Sequence, residues 1–534
     1  MWRNFFLIIL LTIPTAISAG VEVPKSEFSR YLELPLDYDS PTDGSFRLYY
    51  EVNSDYNPDK PLVLEFIDPQ QPFKTTADEQ KKIMGLDVNL IYIQNRGFQK
   101  SFIPQLLTGT QIQWKKAFKI LDSNNLIRDA EMVRRDYIRT FKPRDRRFFI
   151  VGASGGGMLA CQYLAKFPEN VDKAIFGYST FDNTGCCVWN KINFQSRLRA
   201  FDENLLYSLD KILKEPQKYS IHKESLCFMI QRLGYEFTHY EPKVSELVQD
   251  IVSRKFQKYD ESLKEVSKLK LLFDLSFENK EMLDLVQKLF SATDHRDAFK
   301  QIVSCHLPAM VRIAEFLSPL DFNRKDRIAY DADIEIDGFC YVFLPRIAAF
   351  LNEGEIRPRY INCFRQLDQS RVKADILLVG GYFDHTVPYQ ELMRFGALFP
   401  ESRVALLNDG HSLPENKEFY RRLTKYFFET SRGISDPDLL RFFQQVKPED
   451  ISLSLANAKR DGTLDEKLLG YLTEFLRKIP AEKELSIDDL SSCPDLRQRK
   501  ILEDVFRRLE KRMIFADFLD GRIHLPDAKS VLNN

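Results

Sequence analysis

Ser154 lies in Gly152-Ala153-Ser154-Gly155-Gly156, a lone hydroxyl among residues with almost no side chains. The apolar run "RRFFIV" leads into it, and a helix-like stretch follows. A serine hydroxyl becomes a useful nucleophile only when a base takes its proton and a third group orients that base. The chain has only 7 histidines. His411 follows the apolar run "SRVALLN" through Asp409-Gly410, and Asp384 follows "ADILLVGG". Ser154, Asp384 and His411 thus each come just after a strand-like run, in the chain order of a nucleophile, acid and base for acyl transfer. His385 adjoins the acid that would have to orient it, and Asp409 is too near His411 in sequence to orient it well. The Gly155 amide, at the start of the next helix, is placed to donate to a developing oxyanion.

Such side chains need a rigid frame. "FRLYYEV", "PLVLEFI", "VNLIYIQ", "RRFFIVG", "VDKAIFGYS", "ADILLVGG" and "SRVALLN" read as strands. Several are apolar throughout, as expected of strands covered on both faces. Ile127 to Phe141, Gly156 to Phe167 and "PYQELMRFGALF" read as helices between them. Strands alternating with helices predict an α/β fold with a mostly parallel sheet. The alternation stops after Trp189 and resumes at Ala374; the intervening segments, such as "DENLLYSLDKILKEPQKY", are amphipathic and helical in pattern. The predicted division is a signal peptide (1–19), a first core part (20–189), a helical cap insertion (190–370), a second core part (371–432) and a helical extension (433–534). An excursion between strands of an open sheet leaves from their carboxyl ends, so the cap should roof Ser154.

The 534 residues, 44% of them hydrophobic, can bury a large core. With 76 basic and 77 acidic residues the net charge is −1, which gives no electrostatic basis for a nucleic-acid partner. The N-terminus has a basic residue, the apolar run Phe5 to Ile13 and small residues at 16–20, the pattern of a secretory signal. That run is short for a membrane span, so the expectation is a secreted or periplasmic protein with no stable membrane insertion after cleavage. No N-x-S/T sequon occurs, which fits bacterial export. Export would make the 8 cysteines potential disulfide partners, although Cys161, in the helix after Ser154, reads as a core thiol. No cysteine–histidine spacing indicates a metal, and the chemistry requires no metal or organic cofactor.

The chain resembles α/β-hydrolases of the prolyl aminopeptidase and tripeptidyl aminopeptidase type. Those enzymes carry D-x-R-G-x-G-x-S after a strand, and Gln94 to Ser101 keeps Arg96, Gly97 and Ser101 while lacking the acid and the second glycine. "DAEMVRRDYI" and "FPENVDKAIFGYS", either side of Ser154, are also similar, as are the Asp384 and His411 loops. The resemblance spans about residues 45–190 and 370–430 and does not reach the insertion or the tail. It implies an α/β-hydrolase fold and, with Ser154, Asp384 and His411 as the triad, a serine peptidase that shortens peptides from the N-terminus. Where the family has H-G-G-P-G, this chain has Pro69-Gln70-Gln71-Pro72-Phe73. Aligning Pro72 with the family proline makes the Gln71 amide the second oxyanion donor. An esterase or lipase acting on small acyl substrates would use the same triad. A non-catalytic binding protein on the same fold would be marked by a missing triad member, and none is missing.

Overall fold

The structure, a computed structural model, describes residues 28–68, 75–108, 111–179, 181, 193–194, 197–199, 201–262, 307–308, 311–312, 314–315, 355–356, 358, 363–399, 402–407, 409–411, 413, 416–429, 517–519 and 522–524. Its centre is an 8-stranded sheet. The strands are β1 (Ser29–Pro35), β2 (Ser45–Val52), β3 (Leu62–Phe66), β4 (Asn89–Ile93), β5 (Phe148–Ala153), β6 (Lys173–Gly177), β7 (Asp375–Gly381) and β8 (Arg403–Leu407). They lie in the order β1-β2-β4-β3-β5-β6-β7-β8. β2 runs antiparallel to both β1 and β4, and every other pairing is parallel. Helices cover both faces, and the core is an α/β-hydrolase fold.

The apolar strands alternate between two buried clusters. On β5, Phe148 and Ile150 join Met158, Leu159 and Tyr163 on one face. Phe149 and Val151 turn to the other, where Phe149 stacks on Phe428 with ring centroids 5.3 Å apart. Burial on both sides explains why β5 is readable as an unbroken apolar run. Strand β1 is not, because it is a half-exposed edge whose residues are mostly only partly buried.

Helices α1 (Ala77–Met84), α2 (Trp114–Ile120), α3 (Ser123–Phe141) and α4 (Gly155–Lys166) lie in the first part of the core. α3 begins before Ile127 because Asp122 caps it, its side chain accepting from the Asn125 amide at 2.8 Å. In the region predicted as a cap, α5 (Glu203–Lys214), α6 (Lys223–Glu236) and α7 (Glu241–Val252) are helical, as are the described residues from 307 to 315 and the short α8 (Cys363–Gln366). The core then resumes with α9 (Tyr389–Leu398) and α10 (Lys417–Glu429).

The extension departs from the all-helical expectation, since Asp517–Leu519 pairs antiparallel with Arg522–His524. The tail segments read as helices lie outside the described residues, as does the signal-like segment 1–19. Among the described residues no helix is long and apolar enough to cross a membrane. Cys161, Cys227 and Cys363 are buried; the other cysteines lie outside the described residues.

Arg96 and Ser101, two of the residues shared with the aminopeptidase motif, are structural. The buried Arg96 guanidinium grips Asp129 through two 2.6 Å bonds and donates to the carbonyls of Leu36 (2.6 Å) and Ile120 (2.9 Å). Ser101 Oγ donates to Gln94 O at 2.7 Å and accepts from the Tyr49 amide at 2.9 Å. Arg96→Met would strand the buried Asp129 carboxylate and should cost about 3–5 kcal/mol in urea unfolding. Arg144→Ala, which breaks the exposed pair with Asp59, should cost less than about 1 kcal/mol in the same measurement.

Candidate active site

Ser154 has φ 52° and ψ −128°, a conformation that L-residues rarely adopt and that costs about 1–3 kcal/mol. Its surroundings hold it there. The Ser154 amide donates to Gly177 O at 2.9 Å, and Ser154 O accepts from the Gly157 amide at 3.0 Å. A Cβ on Gly156 would lie 2.2 Å from Phe66 O, and one on Gly152 would lie 2.4 Å from Gly156 O. Side chains at either position would drive β3, β5 and α4 apart. Gly155 is buried at the first position of α4, where a helix leaves amides without intrahelical partners. Gln71, the other expected oxyanion donor, lies outside the described residues, which stop at Asp68 on that side.

The acid and the histidine occupy loops beyond the carboxyl ends of β7 and β8. Asp384 Oδ1 accepts the amides of Thr386 (2.7 Å) and Val387 (2.8 Å), while Oδ2 lies 2.9 Å from His411 Nδ1. With Asp384 ionised, Nδ1 must carry a proton to make this bond, and Nε2 of a neutral ring is then the basic nitrogen. The two loops are also joined through backbone, Tyr382 N–H to Leu407 O at 2.8 Å and Phe383 N–H to Asp409 O at 2.9 Å. Asp409 holds its own loop. Its carboxylate accepts from the Gly410 and Asn416 amides, both at 2.7 Å, and from Thr238 Oγ at 3.1 Å.

Tyr178 links this pair to the serine. It follows Gly177, whose carbonyl receives the Ser154 amide, and its ring meets the His411 ring edge-on at 5.2 Å. Tyr235, from α6, meets His411 in the same way at 5.1 Å. The structure therefore joins Asp384 to His411 directly and brings Ser154 to the same end of the sheet.

His385 points elsewhere. It is buried against Phe194, Tyr240 and Gly234, and burial, reinforced by Arg197 and His411, pushes its pKa down to about 3. Its neutral ring is part of the packing beneath the inserted helices.

Several residues around the site carry no motif. Arg197 donates to Phe383 O (2.9 Å) and Thr238 O (2.6 Å), pairs with Glu241, and fastens the acid loop to the insertion. Arg312 donates to Gly155 O at 3.1 Å. Isolated arginines in an amphipathic helical segment give no warning of such contacts. Of three acids in the inserted segment, Glu203 is exposed, and Asp321 and Glu353 lie outside the described residues. Among the described residues no cluster of histidine, cysteine and carboxylate side chains is arranged to hold a metal.

No protein-family model matches the sequence, and no curated protein matches it. Solved structures similar to the chain include an α/β-hydrolase from a Medee basin deep-sea metagenome library (10% identity, TM-score 0.34, covering 73% of this chain and 97% of that one). Another is an esterase from Exiguobacterium antarcticum (14%, TM-score 0.33, 73% and 97%). A third is a proline iminopeptidase from Mycobacterium smegmatis (10%, TM-score 0.36, 75% and 97%). The strand order, rather than these scores, defines the fold.

His385 makes stability sensitive to acid. Its folded pKa lies below the ordinary value of about 6.5, so below that pH the unfolded chain binds a proton that the native protein refuses. This part of the stability is complete above about pH 6.5 and declines as pH falls toward 3. Between pH 7 and 5 the wild type should lose about 2 kcal/mol more than His385→Asn, compared by urea unfolding at each pH.

Proposed function

We propose that the protein is a serine hydrolase in which Ser154 is the nucleophile, His411 the general base and Asp384 its orienting acid. The observation that carries this reading is the Asp384–His411 contact of 2.9 Å, at the end of the sheet where Ser154 is held in a strained turn. Ser154 Oγ attacks the substrate carbonyl as His411 Nε2 takes its proton, and the Gly155 amide donates to the resulting oxyanion. His411 then returns the proton to the leaving group, and an acyl-serine remains. Water deprotonated by His411 adds to the acyl carbonyl, and collapse restores Ser154. The Gln71 amide is the proposed second oxyanion donor. Asp384 stays ionised and stabilises the imidazolium.

The substrate we propose is a peptide with a free N-terminus. The resemblance to the aminopeptidase segments supports this, as does a site overhung by inserted helices. Tyr235 and Thr238 reach the His411 loop from the insertion. In the same proposal residues 1–19 direct export and are removed. N-terminal sequencing of the mature protein reads that step.

Ser154→Ala should lower turnover by about a thousandfold or more while changing stability by less than about 1 kcal/mol. Near-normal activity in that variant would overturn the nucleophile assignment. Matched free and N-acetylated peptidyl amides, assayed beside a short-chain ester, test the substrate class. A preference of about tenfold or more for the free amine is expected. Equal rates on both peptides, with the ester far faster, would make the protein an esterase.

A further inference from the structure

The aminopeptidase-type oxyanion loop is rich in glycine and can shape itself around the anion. The corresponding segment here, Pro69-Gln70-Gln71-Pro72-Phe73, has no glycine. At its root is Asp68, whose amide nitrogen would lie 3.3 Å from a Cβ on Gly156. The root of the loop and the start of α4 are therefore packed together. Against both lies a side chain from the insertion, Arg312, only 1% exposed.

The Arg312 guanidinium reaches three partners. One Nη–H donates to Gly155 O at 3.1 Å, and Nε lies 3.9 Å from Asp68 Oδ1. The other Nη donates to Glu315 Oε2 at 3.3 Å. Glu315 accepts from the Ser123 amide (2.9 Å) and hydroxyl (3.1 Å) at the start of α3, which anchors the arginine to the core. Leu307, Val311 and Ala314, on the same stretch of the insertion, are buried in the main cluster. A planar guanidinium presents its donors in a fixed fork, so it holds several acceptors at set relative positions.

We infer that Arg312 is a positioning residue that fixes the Gly155 turn of α4, one wall of the proposed oxyanion site, against the core. The inference rests on the serine-hydrolase reading above. It deepens that reading by making a residue of the insertion responsible for the geometry of oxyanion stabilisation. Holding Gly155 O sets the orientation of Gly155, whose own N–H is the proposed donor. A donor displaced by a fraction of an ångström loses much of its worth in the transition state.

Two reactions at position 154 separate this role from general support of the fold. A fluorophosphonate phosphonylates Ser154 with loss of fluoride, and the phosphoryl oxygen needs the oxyanion donors. Iodoacetamide alkylates a Ser154→Cys thiolate with loss of iodide and needs none. Arg312→Met should slow phosphonylation tenfold or more, and in the Ser154→Cys background should leave alkylation within about threefold. Arg312→Lys keeps the charge without the fork and should fall between Arg312→Met and the wild type; it also serves if the methionine variant does not fold. Phosphonylation at the wild-type rate in both variants, or equal losses in the two reactions, would overturn the inference. A wild-type protein whose Ser154 does not react with the fluorophosphonate would instead remove the hydrolase reading, a separate result.

Discussion

The Phe66 carbonyl oxygen occupies the space that a side chain at position 156 would need. That single approach brings the end of β3 against the first turn of α4 and leaves the backbone at Ser154 no ordinary conformation. The rest of the site is arranged around it. Because β5 turns so sharply, the Ser154 amide is free to reach across to Gly177 on β6. Because β6 ends there, Tyr178 projects toward His411. The strain at one serine is sustained by parallel pairing on both sides of β5, with β3 and with β6.

The acid and base are held by a different device. Their loops share backbone hydrogen bonds, and Asp409, which lies too close to His411 to orient it, ties the histidine loop to Asn416 and Thr238. Asp384 has one oxygen held by two amides and the other directed at the imidazole. One carboxylate thus faces the histidine while the other braces the turn that presents it. His385, although adjacent to the acid, is drawn away by its aromatic neighbours, Phe194 and Tyr240.

Much of this frame was readable from residue order. Strands β3 to β7 betray themselves because burial on both faces demands uninterrupted apolar runs. Asp384 and His411 stand out because each follows such a run where a parallel strand must end. Strand β1 was not readable, since a half-exposed edge has no comparable pattern. The first residue of α4 is Gly155 rather than Gly156, because the turn at Ser154 leaves no spacer before the helix. Arg197 and Arg312 were invisible for another reason. The backbone carbonyls they hold lie far away in the chain, and no local spacing encodes a contact between Arg312 and Gly155.

The attachments of the insertion also bear on how separable the protein's parts are. Arg197 and Thr238 hold the loops after β7 and β8, Tyr235 flanks the imidazole, and Arg312 bonds to Gly155 O at the turn after β5. A sheet excised from these helices would keep its strand order and most of its apolar contacts, yet each of the three loops at its working end would lose a brace. Modularity in this chain therefore stops at architecture. Exchanging the insertion for another of similar size would transplant a roof and, with it, dismantle part of the floor.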